Sequence, residues 1–477
     1  MTEKQDLRNR LVVGRKRDGR REFDETARRE LVELCLKPGV SIARTAMDHD
    51  VNPNQLRKWI ASHQQRQLEQ PSVDAAVSDG VPIDIHGPTS RYSSPDAPSA
   101  FVPVVPASPS TSVTYACPCC DLGIKVTPAP PRIIPRGLLS ESALAWIATG
   151  KYQFGMPLYR QAGLLRRFGG DISSNTIAVS MVRVGLAAQP VINLMRDALL
   201  DAELIYCDET TLQVLKEEGR RPQSTSYLWA QMSGSGVPIR CFTYTPGRGT
   251  KLADKLFTGI REGAVMMTDG YEPYNDIAQR HRLVHLGCWV HVRRYFVKAE
   301  DNVPKAARTV DLLATRFIKL IGKLFAAESR SETWATERRQ RLRRRYSARV
   351  LDVIHALMLE QSPGVVPKSL LGKGLTYLRE QWPKLVRYVE NGSWPISNNP
   401  CENAICPFCV GRRGWLFSDT VDGANASANL YTLVESAKAN GIDPYRYLTW
   451  MFQRLPLAKT VDDYDALLPW KMPAELR

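Results

Sequence analysis

Apolar positions along the chain keep a helical period at both ends and switch to short strand-like runs in the middle. From Glu22 to Lys37 the stretch FDETARRELVELCLKPG spaces its apolar residues as one helix face and stops at a Pro-Gly pair. A short helix is predicted from Ser41 and a third from Asn52 or Asn54. The third carries Gln55, Arg57, Lys58 and His63 beside a core-like Leu56, Trp59 and Ile60, the layout of a helix-turn-helix. A plain three-helix bundle has the same pattern. Residues 1–20, basic and polar, are expected to be mobile. Residues 136–200 return to the helical period, with caps predicted at Ser140 or Ser142 and near Ser173 or Ser174. The Gly169-Gly170 turn there fits a second helix-turn-helix or a packed helical hairpin.

Between 202 and 296 the period changes. Ala202–Thr210 (AELIYCDET) and Gly263–Tyr274 (GAVMMTDGYEPY) each read as an apolar strand that ends in an aspartate. SYLWAQMSG and PIRCFTYTPG read as a hairpin, KLADKLFTGI as a helix, and HRLVHLGCWVHVRRYF as a strand running into a basic helix. Residues 297–390 are predicted to be helical and strongly basic, an insertion that peaks at ERRQRLRRRYSARV. The stretch Ser397–Phe417, SNNPCENAICPFCVGRRGWLF, starts a helix with Glu402 in its first turn. A lone glutamate there commonly just answers the helix dipole. Asp208, Asp269 and Glu402 taken together offer the oxygen donors that hard divalent cations require.

Charge sharpens this picture. The 477 residues carry a formal net charge of +15, which fits a polyanionic partner such as nucleic acid. Residues 66–114 turn to Pro, Ser and Ala, the composition of a linker without a packed core. No apolar run is long enough to span a membrane, and the first residues lack a signal-peptide core. Ten cysteines in a chain this long do not form a secreted-disulfide pattern, so a reducing cytosol is expected. Cys117 and Cys120 have the spacing of a zinc knuckle, but a structural site needs four ligands and no second pair lies nearby. Cys288 and His291 form a C-x-x-H pair, read as a buried Cys with a core or capping His, as a pair that shapes the acidic site, or as zinc ligands that Cys406 and Cys409 could complete.

CDET, TDGY, HLGCWVHVRRYF and NNPCENAI followed by GRRGWLF resemble the DDE transposases of the insertion sequence 66 family. PLYRQAGL, AKANGIDPYRYLTWMFQRLP and LLPW extend the resemblance from about residue 115 to the C-terminus. Residues 22–62, and FVPVV at 101–105, resemble the small helix-turn-helix accessory protein of the same elements. The chain thus resembles a fusion whose join has removed the first Cys pair of a zinc ribbon. The family usually has Arg where this chain has Cys406.

The resemblance implies an α+β multidomain protein with a ribonuclease H-like catalytic core. The organisation expected is a helix-turn-helix domain (1–65), linker (66–114), remnant zinc ribbon (115–135) and helical domain (136–200). A catalytic core (201–420) and a helical C-terminal segment (421–477) follow. It also implies cleavage and strand transfer of DNA ends with Mg²⁺ or Mn²⁺, with Asp208 bridging two ions and Asp269 and Glu402 holding one each. Arg57, Lys58, Arg412 and Arg413 are the expected DNA contacts, and Glu209 is expected to face away from the ions. Expected partners are double-stranded element ends and target DNA, a second copy of the chain, and a further accessory protein, in the cytoplasm on the nucleoid. Two other readings share these residues: an inactive DNA-binding regulator, and a ribonuclease H-like nuclease or resolvase.

Overall fold

The computed structural model describes residues 3–15, 21–37, 40, 42–51, 55–56, 58–60, 62–63, 114–115, 125–126 and 131–477. They divide into two compact units, one built from Met195–Cys409 and the other from the elements before Met195 together with Val410–Arg477. No single described helix is long and apolar enough to cross a membrane.

In the N-terminal domain Asp24 caps helix Glu25–Leu36 by accepting the Ala27 amide at 2.8 Å. Helix Ile42–Asp48 follows, and residues 55–56, 58–60 and 62–63 are helical. Leu31, Cys35, Ala46, Leu56 and Ile60 close a small core, with Phe23 edge-on to Trp59 at 4.7 Å. The residues expected to be mobile belong to this core in part. Glu3–Leu11 is a helix that buries Leu7 and Leu11, and β1 (Val12–Arg15) pairs antiparallel with β2 (Arg21–Phe23). Two leucines one turn apart make too short an apolar stripe to stand out in a basic run. Further on, β3 (Thr114–Tyr115) pairs antiparallel with β4 (Lys125–Val126). Cys117 and Cys120 between them, Arg57, and residues 66–113 of the linker lie outside the described residues.

The helices from 136 to Leu194 and those after 420 belong to one unit. Ser140 caps Glu141–Tyr152 and Ser173 caps Ser174–Ala187, each by accepting a backbone amide three residues on. Leu158–Arg167 lies between them and turns through Gly169, whose φ of +86° favours glycine. Val421–Ala439 packs on Ser174–Ala187 so closely that a Cβ at Gly185 would stand 2.7 Å from Ala426. Asn429 fixes the contact by donating to the Gly185 carbonyl and to Gln189, both at 2.9 Å.

The other unit is organised by a mixed sheet. Its strands are β5 (Leu204–Lys216), β6 (Thr225–Ser233), β7 (Arg240–Thr245), β8 (Val265–Thr268) and β9 (Val284–Gly287), in the order β7-β6-β5-β8-β9. β5, β6 and β7 are antiparallel neighbours, whereas β8 and β9 run parallel to β5. The parallel pairing needs crossovers, supplied by helices Thr250–Phe257 and Pro273–Arg280. β9 leads into helix Trp289–Asp301. The basic insertion then forms helices Leu313–Arg330, Thr336–Leu342, Ala348–Gln361 and Leu370–Leu385. Its core joins Trp289, Val292 and Phe296 to Phe317, Ile321, Leu324, Ile354 and Leu378.

Candidate active site

The paired residues of β5 and β8 end with Tyr206 opposite Met267. Continuing that parallel register by two residues sets Asp208, inside β5, level with Asp269, the residue that follows β8. Each carboxylate is oriented by its own backbone. Asp208 accepts the Glu209 amide and Asp269 the Tyr271 amide, both at 2.9 Å. Behind Asp269, Gly270 is pressed against Tyr377, which stacks on Tyr295 at 4.7 Å. A Cβ at position 270 would lie 2.5 Å from the Tyr377 ring, so this turn leaves room for glycine only unless the stacked ring gives way.

The third carboxylate arrives on helix Asn399–Trp415. The amides of Cys401 and Glu402 both donate to the Asn398 carbonyl, which starts the helix. Asn398 is fully buried; its amide side chain donates to the Cys207 carbonyl at 3.1 Å, and its own N–H donates to the Cys288 sulfur at 3.2 Å. Cys207 precedes Asp208, and Cys288 follows β9. One asparagine therefore ties the start of the Glu402 helix to the strand that carries the first aspartate. Substituting Asp for Asn398 should set a buried carboxylate against the Cys207 carbonyl. It is expected to lower the melting temperature more than Asn398→Ala, which removes a buried hydrogen bond worth ~1–3 kcal/mol. Equal melting of wild type and Asn398→Asp would remove this tie from the account.

Two side chains of helix Trp289–Asp301 meet Glu402. Arg294 Nη2 donates to Oε2 at 2.9 Å, and His291 Nε2 stands 3.5 Å from Oε1. Glu402 Oε1 and His291 Nδ1 are buried without a hydrogen-bond partner. Burial holds the His291 pKa below its ordinary value, against the pull of Asp269 and Glu402. Cys288, whose thiol burial pushes up to about 11, spends its sulfur on Asn398. The C-x-x-H pair thus serves the Glu402 helix. Cys406 is exposed, and Cys409 lies 3.5 Å from the Thr210 hydroxyl.

Burial, then Asp269 and Glu209, push the Asp208 pKa up to about 8. The all-oxygen donors of these carboxylates are of the kind that suits a hard cation. Among the described residues, no three His, Cys, Asp or Glu side chains stand close enough together to hold an ion. Glu402 is instead engaged by Arg294. Glu209 lies on the same strand face as Cys207, where the Tyr274 hydroxyl donates to it at 2.8 Å. Arg248 stands 3.6 Å from it, and burial followed by Asp269 raises its pKa to about 7.

The expected DNA contacts are spread along the chain. Lys58 is exposed in the N-terminal domain. Arg412 and Arg413 occupy the last turn of helix Asn399–Trp415, with Arg413 exposed. They follow Glu402 by ~15 Å of helix rise. Asn398 and Arg294 were not singled out by sequence reading, since neither belongs to an acidic or metal-binding pattern. Their signal was adjacency: Asn398 begins the NNPCEN stretch, and Arg294 stands one turn after His291.

The sequence model described as Transposase IS66 family matches residues 136–426, and the IS66 C-terminal element matches 432–470. A helix-turn-helix model described as Transposase matches 17–79. Relatives in Sinorhizobium fredii (strain NBRC 101917 / NGR234) include Uncharacterized protein y4qI, 27% identical over 90% of this chain and 79% of its own length. Uncharacterized protein y4jD is 26% identical over 76% of this chain and 71% of its own. With the family's sequence pattern spanning well over half its length and continuing into the C-terminal element, this chain belongs to the IS66 family of transposases.

Proposed function

We propose that this protein is a DDE transposase that cleaves the ends of its element and joins them to target DNA, with Asp208, Asp269 and Glu402 as the catalytic carboxylates. The observation that carries the reading is the placing of the three carboxylates on neighbouring elements. Asp208 lies in β5 and Asp269 directly after the parallel β8, and the Glu402 helix is tied by Asn398 to the strand of the first. The mixed strand order β7-β6-β5-β8-β9 supports a ribonuclease H-like core.

The three carboxylates would hold Mg²⁺ or Mn²⁺, and the bound cation would activate the attacking oxygen and stabilise the leaving one. The reaction has two displacements at phosphorus. Water first breaks a phosphodiester and frees a 3′-hydroxyl; that hydroxyl then attacks a target phosphodiester, with a second 3′-oxygen as leaving group. The chain's own contribution is alignment. Asn398 and Cys288 fix the Glu402 helix, the Asp269 turn is closed by Gly270 against Tyr377, and Tyr274 with Arg248 keeps Glu209 on the other strand face. Lys58 and Arg57 of the N-terminal domain would bind end DNA, and Arg412 and Arg413 would meet phosphate through guanidinium donors.

Strand transfer tests the reading directly. Purified protein and DNA carrying the element's terminal repeats should give joined product with Mg²⁺ or Mn²⁺ and none with EDTA. Stable end binding with no product under any cation would support a regulator, and cleavage without end preference would support a nuclease.

A further inference from the structure

We infer that Arg294 is a positioning residue that competes with the divalent cation for Glu402. The inference rests on the three-carboxylate reading above and adds to it a determinant of cation affinity. Among the described residues, Glu402 is the one carboxylate of the three with an arginine partner. Asp208 and Asp269 are oriented by backbone amides. Glu402 gives Oε2 to Arg294 at 2.9 Å, while Oε1 remains buried without a hydrogen bond beside His291. One oxygen is thus neutralised and the other is left wanting a donor or an ion.

The arrangement suits exchange rather than permanent pairing. Arg294 makes a single hydrogen bond to the carboxylate, not the two-pronged fork that makes such pairs strong. Its side chain is 47% exposed, so the guanidinium can leave for water or DNA phosphate without being stranded in the protein. His291 and Arg294 stand three residues apart on one helix, so both reach Glu402 from the same face. Arg294 therefore opposes the ion twice, by occupying a ligand oxygen and by placing like charge beside the site. Glu402 stays compensated until cation, and the DNA phosphate that can accept Arg294, arrive together.

The test uses the full chain without DNA and Mn²⁺ alone as probe, with free Mn²⁺ read by electron paramagnetic resonance. Arg294→Gln should bind Mn²⁺ about tenfold more tightly than wild type. Arg294→Lys should stay near wild type, because it keeps the charge. Asp208→Asn and Glu402→Gln should each weaken binding at least tenfold. A merely structural role for Arg294 would not increase affinity, and thermal melting of each variant checks that it folds. If Arg294→Gln binds Mn²⁺ as wild type does or more weakly, while Asp208→Asn and Glu402→Gln lose it, the exchange is overturned and the carboxylate site stands. If neither carboxylate variant changes Mn²⁺ binding, the site itself is wrong and the exchange falls with it.

Discussion

Asp208→Asn is expected to eliminate DNA cleavage, by on the order of a thousandfold or more, while the cation-free protein melts no lower than wild type. The first half follows from losing a charged oxygen ligand: a few kcal/mol of transition-state stabilisation is worth about a factor of ten per 1.4 kcal/mol. The second half follows from the environment. The Asp208 carboxyl is buried beside Asp269 and Glu209, which is why its pKa rises to about 8. A carboxyl raised in the folded state costs stability as pH climbs past the unfolded value and the charged form is demanded. A neutral amide of the same shape removes that demand. Asp269→Asn and Glu402→Gln should also abolish cleavage. Glu402→Gln need not gain stability, because it gives up the ion pair with Arg294. End binding by all three should stay within about threefold of wild type, since sequence-independent affinity comes from cationic contacts to phosphate. Cleavage and strand transfer on terminal-repeat DNA, filter binding and thermal melting together check this. Near-normal cleavage by any one variant would take that residue out of the site.

The second large effect is structural. Arg343→Met should destabilise the helical insertion by about 3–5 kcal/mol, the usual cost of breaking a buried ion pair from one side. Arg343 is 1% exposed and spends its whole guanidinium inside the insertion. It donates to both oxygens of Glu328, at 2.9 and 2.5 Å, and to the carbonyls of Tyr388 and Asn391, at 2.8 and 2.5 Å, with the Tyr388 ring 5.0 Å away. Methionine fills the volume and leaves Glu328 charged and two carbonyls bare. Arg344 and Arg345, the next residues, are exposed, and their substitution should stay within about 0.5 kcal/mol. Hydrogen exchange should show protection lost in 313–390 before the sheet. Equal melting of Arg343→Met and Arg344→Met would contradict the strut.

That contrast shows where the sequence was legible. The strands around Asp208 and Asp269 are written locally, as apolar runs that end in a carboxylate, and so are the caps at Ser140 and Ser173. The start of the Glu402 helix is local too. What was not legible depends on partners far along the chain. Asn398 reaches a carbonyl 191 residues away, and Arg294 a carboxylate 108 residues away. Arg343 is one arginine in a run that reads as a solvated face, and only the surrounding fold separates it from its neighbours. β5 continues to Lys216, six residues past the expected Thr210, because Leu212 and Val214 alternate inward against β6. The Cys288–His291 spacing was visible as a pair that shapes a site or holds zinc, but the partner of Cys288, the Asn398 amide, lies more than a hundred residues downstream.

The embrace of Gly185 by Ala426 has a consequence for synthesis. Asn429, which donates to the Gly185 carbonyl, is made 244 residues later. At ~5–20 residues per second, the helices of 141–187 wait roughly 10–50 s on the ribosome before their partner emerges. During that interval the helix Ser174–Ala187 lacks its partner Val421–Ala439, and the Met195–Cys409 unit is synthesised between the two. A nascent chain stalled near residue 400 should therefore hold a formed sheet beside an open, chaperone-binding helical face. Removing everything after residue 420 would leave the finished protein in the same condition.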